Sequence, residues 1–129
     1  MKKNAFVVLI NTEGHVLGVS RKDNHSDFGL PGGKMDDCDN DDPKLTAIRE
    51  LYEETGIDVD YYDLTLCFAL HKKGAMCYTY LAKGYSGMID HNEPHVVKWT
   101  NFVELTKGVN GYYNNIVMES LLDMNINLK

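Results

Sequence analysis

The 129-residue sequence lacks a long hydrophobic run near its start. The apolar stretch there, residues 5–10, is shorter than the roughly 7–15 residues of a signal-peptide core and far below the ~20 residues of a membrane helix. This absence argues against a signal peptide or membrane anchor at that position. We therefore expect a protein that remains in the cytoplasm and has no membrane partner.

Cysteine is also scarce, with three residues at Cys38, Cys67 and Cys77. They form no C-x-x-C pair, so no zinc site is predicted, and their odd number is typical of reduced thiols rather than of a disulfide framework. Cys67 and Cys77 could face each other across a hairpin, but thiols buried in the core are favoured over that alternative.

Basic residues are fewer than acidic ones. The chain contains 13 Lys and Arg and 19 Asp and Glu, which gives a net charge of -6. This balance disfavours general nucleic-acid binding through bulk electrostatics, so an anionic substrate would need metal ions locally. With 43% hydrophobic residues, the chain is long enough for one core and short for two. We expect one domain over residues 1–129, as a monomer or a homodimer.

What the sequence does contain is a strong helix signal in its middle. Asp42 is a typical N-cap, and Pro43 suits the first helical position, where its missing N–H has no partner to lose. Gly56 is the expected C-terminal stop. The spacing between them predicts an apolar stripe that packs on a core, formed by Leu45, Ala47, Ile48, Leu51, Tyr52 and Thr55.

Three glutamates of this helix, Glu50, Glu53 and Glu54, lie at i, i+3 and i+4 and share one face. A solvated acidic face is the ordinary interpretation of such a pattern. It fits poorly here, since like charges repel at this spacing and all three lie near the negative end of the helix dipole. Arg49 can reach Glu53 but cannot neutralise three carboxylates, so the cluster favours bound Mg²⁺ or Mn²⁺.

A glycine pair, Gly32 and Gly33, follows Pro31 shortly before the helix. Glycine permits a positive backbone φ and lets main chain approach a ligand closely. Alone, such a segment is an ordinary turn. Its combination with the carboxylate helix is what makes it specific.

Together these residues resemble the Nudix hydrolase family, whose box is written G-x5-E-x7-R-E-U-x-E-E-x-G-U, with U an aliphatic residue. The second half of the box is matched without a gap by Arg49, Glu50, Leu51, Glu53, Glu54, Gly56 and Ile57, and residues 30–34 form the usual lead-in. The segment between Gly33 and Arg49 is two residues longer than the pattern. We expect this insertion in the loop over residues 35–40, which places the first acidic position of the box at Asp41.

The resemblance implies an α/β fold, in which a curved mixed β-sheet lies between the catalytic helix and a C-terminal helix as an α/β/α sandwich. It also implies Mg²⁺ as the cofactor, with Mn²⁺ as an alternative. Glu50 and Glu54 are the expected metal ligands, Glu53 is a ligand or the general base, and Arg49 orients Glu53. Glu93, which precedes a tryptophan strand, is expected to complete the metal shell or act as base; the alternative is an ordinary surface glutamate.

Substrate contacts are implied at five positions. The backbone of Gly32 and Gly33, with Lys34, should shape the pocket, and Arg21 should lie near the substrate phosphates, although a solvated strand end is an equal alternative. Asn114 is comparable to an asparagine that recognises a purine base in MutT-like members, while capping of the last helix explains it equally well. We interpret residues 71–73, a His and two Lys, as a solvent-exposed turn rather than a phosphate site.

The remaining hydrophobic patterns predict a hairpin of strands over residues 5–10 and 15–20, strands over 64–70 and 75–83, and a short strand over 99–102. A turn of helix is expected at residues 103–105. The last helix should begin at Asn114 or Asn115 as cap, with a buried stripe of Ile116, Val117, Leu121 and Leu122.

The resemblance favours a MutT-like enzyme that hydrolyses a nucleoside triphosphate, NTP or dNTP and oxidised or not, to NMP and pyrophosphate. One alternative is a hydrolase of another nucleoside diphosphate derivative, such as ADP-ribose, a nucleotide sugar or a dinucleoside polyphosphate. Another is a Nudix domain that senses nucleotides without cutting them, but retention of the three box glutamates favours the enzyme. An RNA 5′-end pyrophosphohydrolase conflicts with the acidic balance.

Overall fold

The computed structural model describes residues 2–90, 94–126 and 128, and within them the chain forms a mixed α/β structure. The strands are β1 (Lys2–Val8), β2 (Val16–Ser20), β3 (Phe28–Gly29), β4 (Gly32–Lys34), β5 (Leu64–Lys72), β6 (Ala75–Ala82) and β7 (Val97–Thr100). The helices are α1 (Pro43–Thr55), α2 (Phe102–Lys107) and α3 (Gly111–Asp123), and 3₁₀ turns cover Asp37–Asp39 and Tyr61–Asp63. In the described part of the chain, every helix is too short or too polar to cross a membrane.

The strands form two sheets, one in the order β4-β1-β6-β5 and one in the order β3-β2-β7. β1 runs parallel to β6, and the other pairs are antiparallel, so the larger sheet is mixed. The predicted hairpin between β1 and β2 is therefore wrong in its pairing. The two strands meet only beside their connecting turn, where Ile10 bridges Val16 and the Leu17 N–H donates to the Leu9 carbonyl at 3.0 Å.

β1 is central because its alternating side chains are buried on both faces of the larger sheet. Ala5 and Val7 belong to one core cluster together with Ala47 and Leu51 of α1. Val8 belongs to a second cluster, whose α3 members are Tyr113, Val117, Met118 and Leu121. Burial of an aliphatic side chain such as Leu51 stabilises the fold by roughly 1.5–3 kcal/mol. This layering confirms the predicted α/β/α sandwich.

Helix α1 begins and ends as its sequence predicts. The Asp42 side chain accepts a hydrogen bond from the Lys44 N–H at 3.0 Å, and Gly56 adopts φ +78° and donates its N–H to the Tyr52 carbonyl. The predicted stripe is shifted, because Tyr52 is 60% exposed. The fully buried positions are Ala47, Leu51 and Thr55, spaced by four residues, and Thr46 beside them.

Helix α3 begins one turn earlier than predicted, so neither Asn114 nor Asn115 caps it. Gly111 starts the helix against α2, where an added Cβ would lie 2.1 Å from the Thr106 carbonyl oxygen. Asn114 is instead buried inside the helix and donates its amide N–H to the Leu105 carbonyl at 2.8 Å. Leu122, placed in the buried stripe by the sequence, is 49% exposed.

The cysteines behave as the favoured interpretation predicts. Cys77 is buried, Cys67 is half-buried and both pack in the second core cluster. All three thiols are free, and burial raises the pKa of Cys67 to about 11.

Candidate active site

Strand β4 is joined to helix α1 by three successive residues. The Gly32 N–H donates to Glu54 Oε1 at 2.7 Å, and the Lys34 carbonyl accepts from Arg49 Nη2 at 3.0 Å. Between them, Gly33 lies so close to Glu50 that an added Cβ would stand 2.6 Å from the Glu50 Cδ atom. The glycine pair and the carboxylate helix, separate in sequence, therefore form one site.

Arg49 contacts three acidic residues of this site. Its Nε and Nη2 donate to the two carboxylate oxygens of Asp39, each at 2.9 Å, and its Nη1 lies 3.0 Å from Glu50 and 3.3 Å from Glu53. The Asp39 side chain is 3% exposed and also accepts from Thr46 Oγ1 at 2.8 Å. Hydrogen bonding between the pair holds the pKa of Asp39 well below its usual range and raises that of Arg49.

Asp39, and not Asp41, is the acidic residue of the first half of the box. Asp39 follows Gly33 with five residues between them, as the box pattern requires, and the two extra residues then lie between Asp39 and Arg49. Asn40 and Asp41 both adopt left-handed φ values, of 53° and 57°. Asp41 is exposed and pairs with Lys3 Nζ at 2.8 Å. Placing the insertion before Asp41 was therefore wrong, because the 3₁₀ turn with its Asp36 capping box fixes Asp39 beside Arg49.

The three box glutamates have different surroundings. The Glu50 side chain is 19% exposed, and its burial raises its pKa, against the opposing effect of Arg49. Glu54 is held by the Gly32 N–H, while the Glu53 side chain is 56% exposed. Glu53 is thus the member of the trio that solvent and a ligand reach most easily.

The donor chemistry of the site fits a hard divalent cation. Its side chains are carboxylates, the ligands that Mg²⁺ prefers, and a cation would offset the cost of desolvating Glu50. Among the described residues, no group of three His, Cys, Asp or Glu is already gathered closely enough to hold a metal. Glu93, the predicted fourth carboxylate, lies outside the described residues.

A cavity of about 310 Å³ lies beside the site, on the face of the larger sheet that packs against α3. Lys34 and Asn114, both predicted to contact substrate, line it. Its other lining residues are Lys2, Asn4, Phe6, Leu30, Lys72, Lys73, Ala75, Cys77, Asn110 and Tyr113. Lys73 is exposed in its turn, as predicted, whereas Lys72 is half-buried, and both residues line this cavity.

Arg21, the predicted phosphate contact, does not line this cavity. Its guanidinium binds Asp23 through two hydrogen bonds of 3.0 Å and lies 3.7 Å from the buried Asp27. The described geometry therefore anchors Arg21 within its own loop.

Comparison with known proteins gives consistent matches. The family described as NUDIX domain matches residues 1–116. A MutT-like protein of Streptomyces ambofaciens is 26% identical over 115 residues, which cover 88% of this chain and 73% of that protein. The crystal structure of a MutT NUDIX hydrolase from Burkholderia pseudomallei has a TM-score of 0.73 and 26% identity, over 93% of this chain and 97% of that one.

An enzyme named for a different substrate has a similar fold. The crystal structure of an ADP-ribose pyrophosphatase from Streptococcus suis has a TM-score of 0.70 and 18% identity, over 98% of this chain and 92% of that one. At this identity the likeness concerns the fold alone.

Proposed function

The chain belongs to the NUDIX domain family and is a hydrolase of the MutT type, and from this premise we propose that it hydrolyses a nucleoside triphosphate to NMP and pyrophosphate. In this reaction a water oxygen bonds to one phosphorus of the anhydride, and the bond from that phosphorus to the bridging oxygen breaks. The observation that carries the proposal is the joining of β4 to α1, which brings Gly32 and Gly33 against Glu54 and Glu50.

Glu50, Glu53 and Glu54, with Glu93 as the fourth candidate, would hold the divalent cation, Mg²⁺ by preference and Mn²⁺ as the alternative. When bound, such a cation neutralises the diphosphate and lowers the pKa of its water. Gly33 carries no side chain, so the Glu50 carboxylate packs directly against the backbone of β4, and a methyl group there would collide with Glu50.

Glu53 is the proposed general base. It is the most exposed of the three box glutamates, so an attacking water reaches it most easily. Its carboxylate would accept the proton of that water. Arg49 is a positioning residue, since its guanidinium is fixed by Asp39 and lies 3.3 Å from Glu53.

The cavity beside β4 is the proposed place for the nucleoside. Lys34 lies between the two regions, because its carbonyl binds Arg49 while its side chain lines the cavity. One N–H of the Asn114 amide is donated to Leu105, which leaves its second N–H and its amide oxygen for hydrogen bonds with a base. The free cysteines are consistent with the proposed cytoplasmic location.

Identification of products by chromatography tests the proposal. The panel contains canonical and oxidised NTPs and dNTPs, ADP-ribose, diadenosine polyphosphates and nucleotide sugars, each with Mg²⁺ and with Mn²⁺. We expect NMP and pyrophosphate from one or two triphosphates. Cleavage of the diphosphate derivatives alone would overturn the triphosphate assignment, and tight nucleotide binding without any product would favour a sensor.

A further inference from the structure

The cavity beside β4 has a charge opposite to that of the protein. It is lined by four lysines, Lys2, Lys34, Lys72 and Lys73, whereas the whole chain carries a net charge of -6. None of the described residues that line it is acidic. Ammonium groups gathered around one space repel one another, and a bound anion would remove that repulsion.

Two of the four lysines have acidic neighbours and two do not. Lys2 and Lys34 also line an adjoining cavity together with Asp36 and Asp37, whereas Lys72 and Lys73 do not line it. Within the described part of the chain, neither Lys72 nor Lys73 forms an ion pair. Lys2 and Lys34 form no ion pair among the described residues either, so Lys72 and Lys73 are set apart because no described carboxylate lines a cavity together with them.

Lys72 is held in place by neutral partners. Its Nζ donates to Asn110 Oδ1 at 3.2 Å and lies 5.2 Å from the centre of the Tyr113 ring. An amide oxygen and an aromatic face orient an ammonium group without neutralising it. Lys72 thus presents a fixed, uncompensated positive charge at the cavity.

Lys73 occupies a backbone position that suits other residues better. It forms, with Gly74, the two-residue connection between the paired residues Lys72 and Ala75, and both connecting residues have positive φ, 51° and 79°. Such a turn is of type I′, whose first position favours Asn, Asp or Gly. Backbone strain beside a cavity is often associated with function, and here the strained residue, Lys73, carries a positive charge.

The position of Lys72 separates it from the diphosphate site. Lys34 lies on β4 and Lys72 on β5, at opposite edges of the sheet order β4-β1-β6-β5. Three strand spacings of about 4.8 Å put these edges roughly 14 Å apart. A group bound at Lys72 would therefore be a distant part of a ligand whose diphosphate lies near Gly33.

We propose that Lys72 and Lys73 form a second anion subsite, and that the preferred substrate is a nucleotide carrying a further phosphate, on its ribose, in addition to the diphosphate that is cleaved. This inference rests on the proposed function for the location of the diphosphate. It makes the substrate class more specific, because an ordinary nucleoside triphosphate would leave the subsite empty.

Calorimetry with two probes tests the subsite independently of hydrolysis. AMP and adenosine 3′,5′-bisphosphate contain no pyrophosphate bond, and any contribution of the base cancels in the ratio of their Kd values. We expect the bisphosphate to bind about tenfold more tightly at low salt, and the difference to shrink as salt is raised.

Two variants and a control identify the residues responsible. Lys73→Asn removes the charge but suits the turn, so we expect an equal or higher Tm together with a smaller preference for the bisphosphate. Lys72→Met should reduce the preference further. Lys83→Met, which removes an exposed lysine just beyond β6 and away from the cavity, should leave it unchanged.

Equal affinity for the two probes, or no measurable binding of the bisphosphate, would overturn the subsite whether or not the enzyme hydrolyses the panel. The same conclusion would follow if Lys83→Met lowered the preference as much as Lys72→Met does. If the preference is present but no pyrophosphate is cleaved, the proposed function fails and the subsite stands.

Discussion

At the scale of single residues, exposure distinguishes Glu53 from Glu50. The Glu53 side chain is 56% exposed and its contact with Arg49 is 3.3 Å long, so it contributes little to stability. We expect Glu53→Gln to keep the Tm within a few degrees and to lower kcat by about 10² to 10⁴, the usual contribution of a general base. Steady-state kinetics and thermal melts measure both effects.

The matched control is Glu13→Gln, which changes an exposed glutamate in the turn before β2. It should leave both kcat and Tm unchanged. Retained turnover in the Glu53→Gln enzyme would show that another carboxylate accepts the proton.

The two aspartates of the acidic loop give a second test. Asp39 is buried and makes two 2.9 Å bonds to Arg49, so Asp39→Asn should destabilise the protein by roughly 2–4 kcal/mol and lower activity. Asp41→Asn removes only an exposed pair with Lys3 and should change neither. Urea unfolding of both variants is the measurement. A larger loss from Asp41→Asn would restore Asp41 as the acidic residue of the box.

Sequence alone identified most of the site's charged residues but misplaced one. Counting back from Arg49 selects Asp41, while counting forward from Gly33 selects Asp39, and the pattern contains no signal that decides between them. The decision comes from burial, because Asp39 has Arg49 and Thr46 as partners. Lys72 was predicted to lie in a solvent-exposed turn for a related reason, since its partner Asn110 is 38 residues away.

At the scale of elements, α1 was predictable because its ends are set by neighbouring residues. Asp42 accepts from the Lys44 N–H at 3.0 Å and, in addition, from the Tyr61 hydroxyl at 2.7 Å. We expect Asp42→Ala to lower the free energy of unfolding by about 1–2 kcal/mol. Denaturant titration measures the change. Asp123→Ala, at the C-terminal end of α3, is the control and should not destabilise, since it removes an anion from the negative end of a helix.

Elements whose geometry depends on distant partners were not predictable in the same way. The pairing of β1 with β4 and β6 is a contact between segments far apart in sequence, so adjacency suggested a hairpin with β2 instead. The start of α3 depends on packing of Gly111 against Thr106. Asn114 looked like a cap because it is polar, but it is buried through its bond to Leu105.

At the scale of the whole molecule, the two core clusters share one sheet. Ala5 and Val7 of β1 pack towards α1, while Val8 packs towards α3. β1 supports the packing of α1 on one face and of α3 on the other. Loss of the packing on one face would therefore destabilise the strand that supports the other. We therefore propose that residues 1–129 form a single cooperative domain, as composition alone suggested.

Truncation on each side of the sheet tests this cooperativity. Leu51 and Met118 are both 0% exposed, one in each cluster, so Leu51→Ala and Met118→Ala should each cost about 2–5 kcal/mol. Trp99, the single tryptophan, packs against the first cluster and reports on that side by fluorescence, while far-UV circular dichroism reports on all the helices. In one domain, both probes shift together in both variants, because β1 cannot lose one layer and keep the other. Two separated transitions, with the fluorescence of Trp99 unaffected by Met118→Ala, would instead mean that the layers unfold independently.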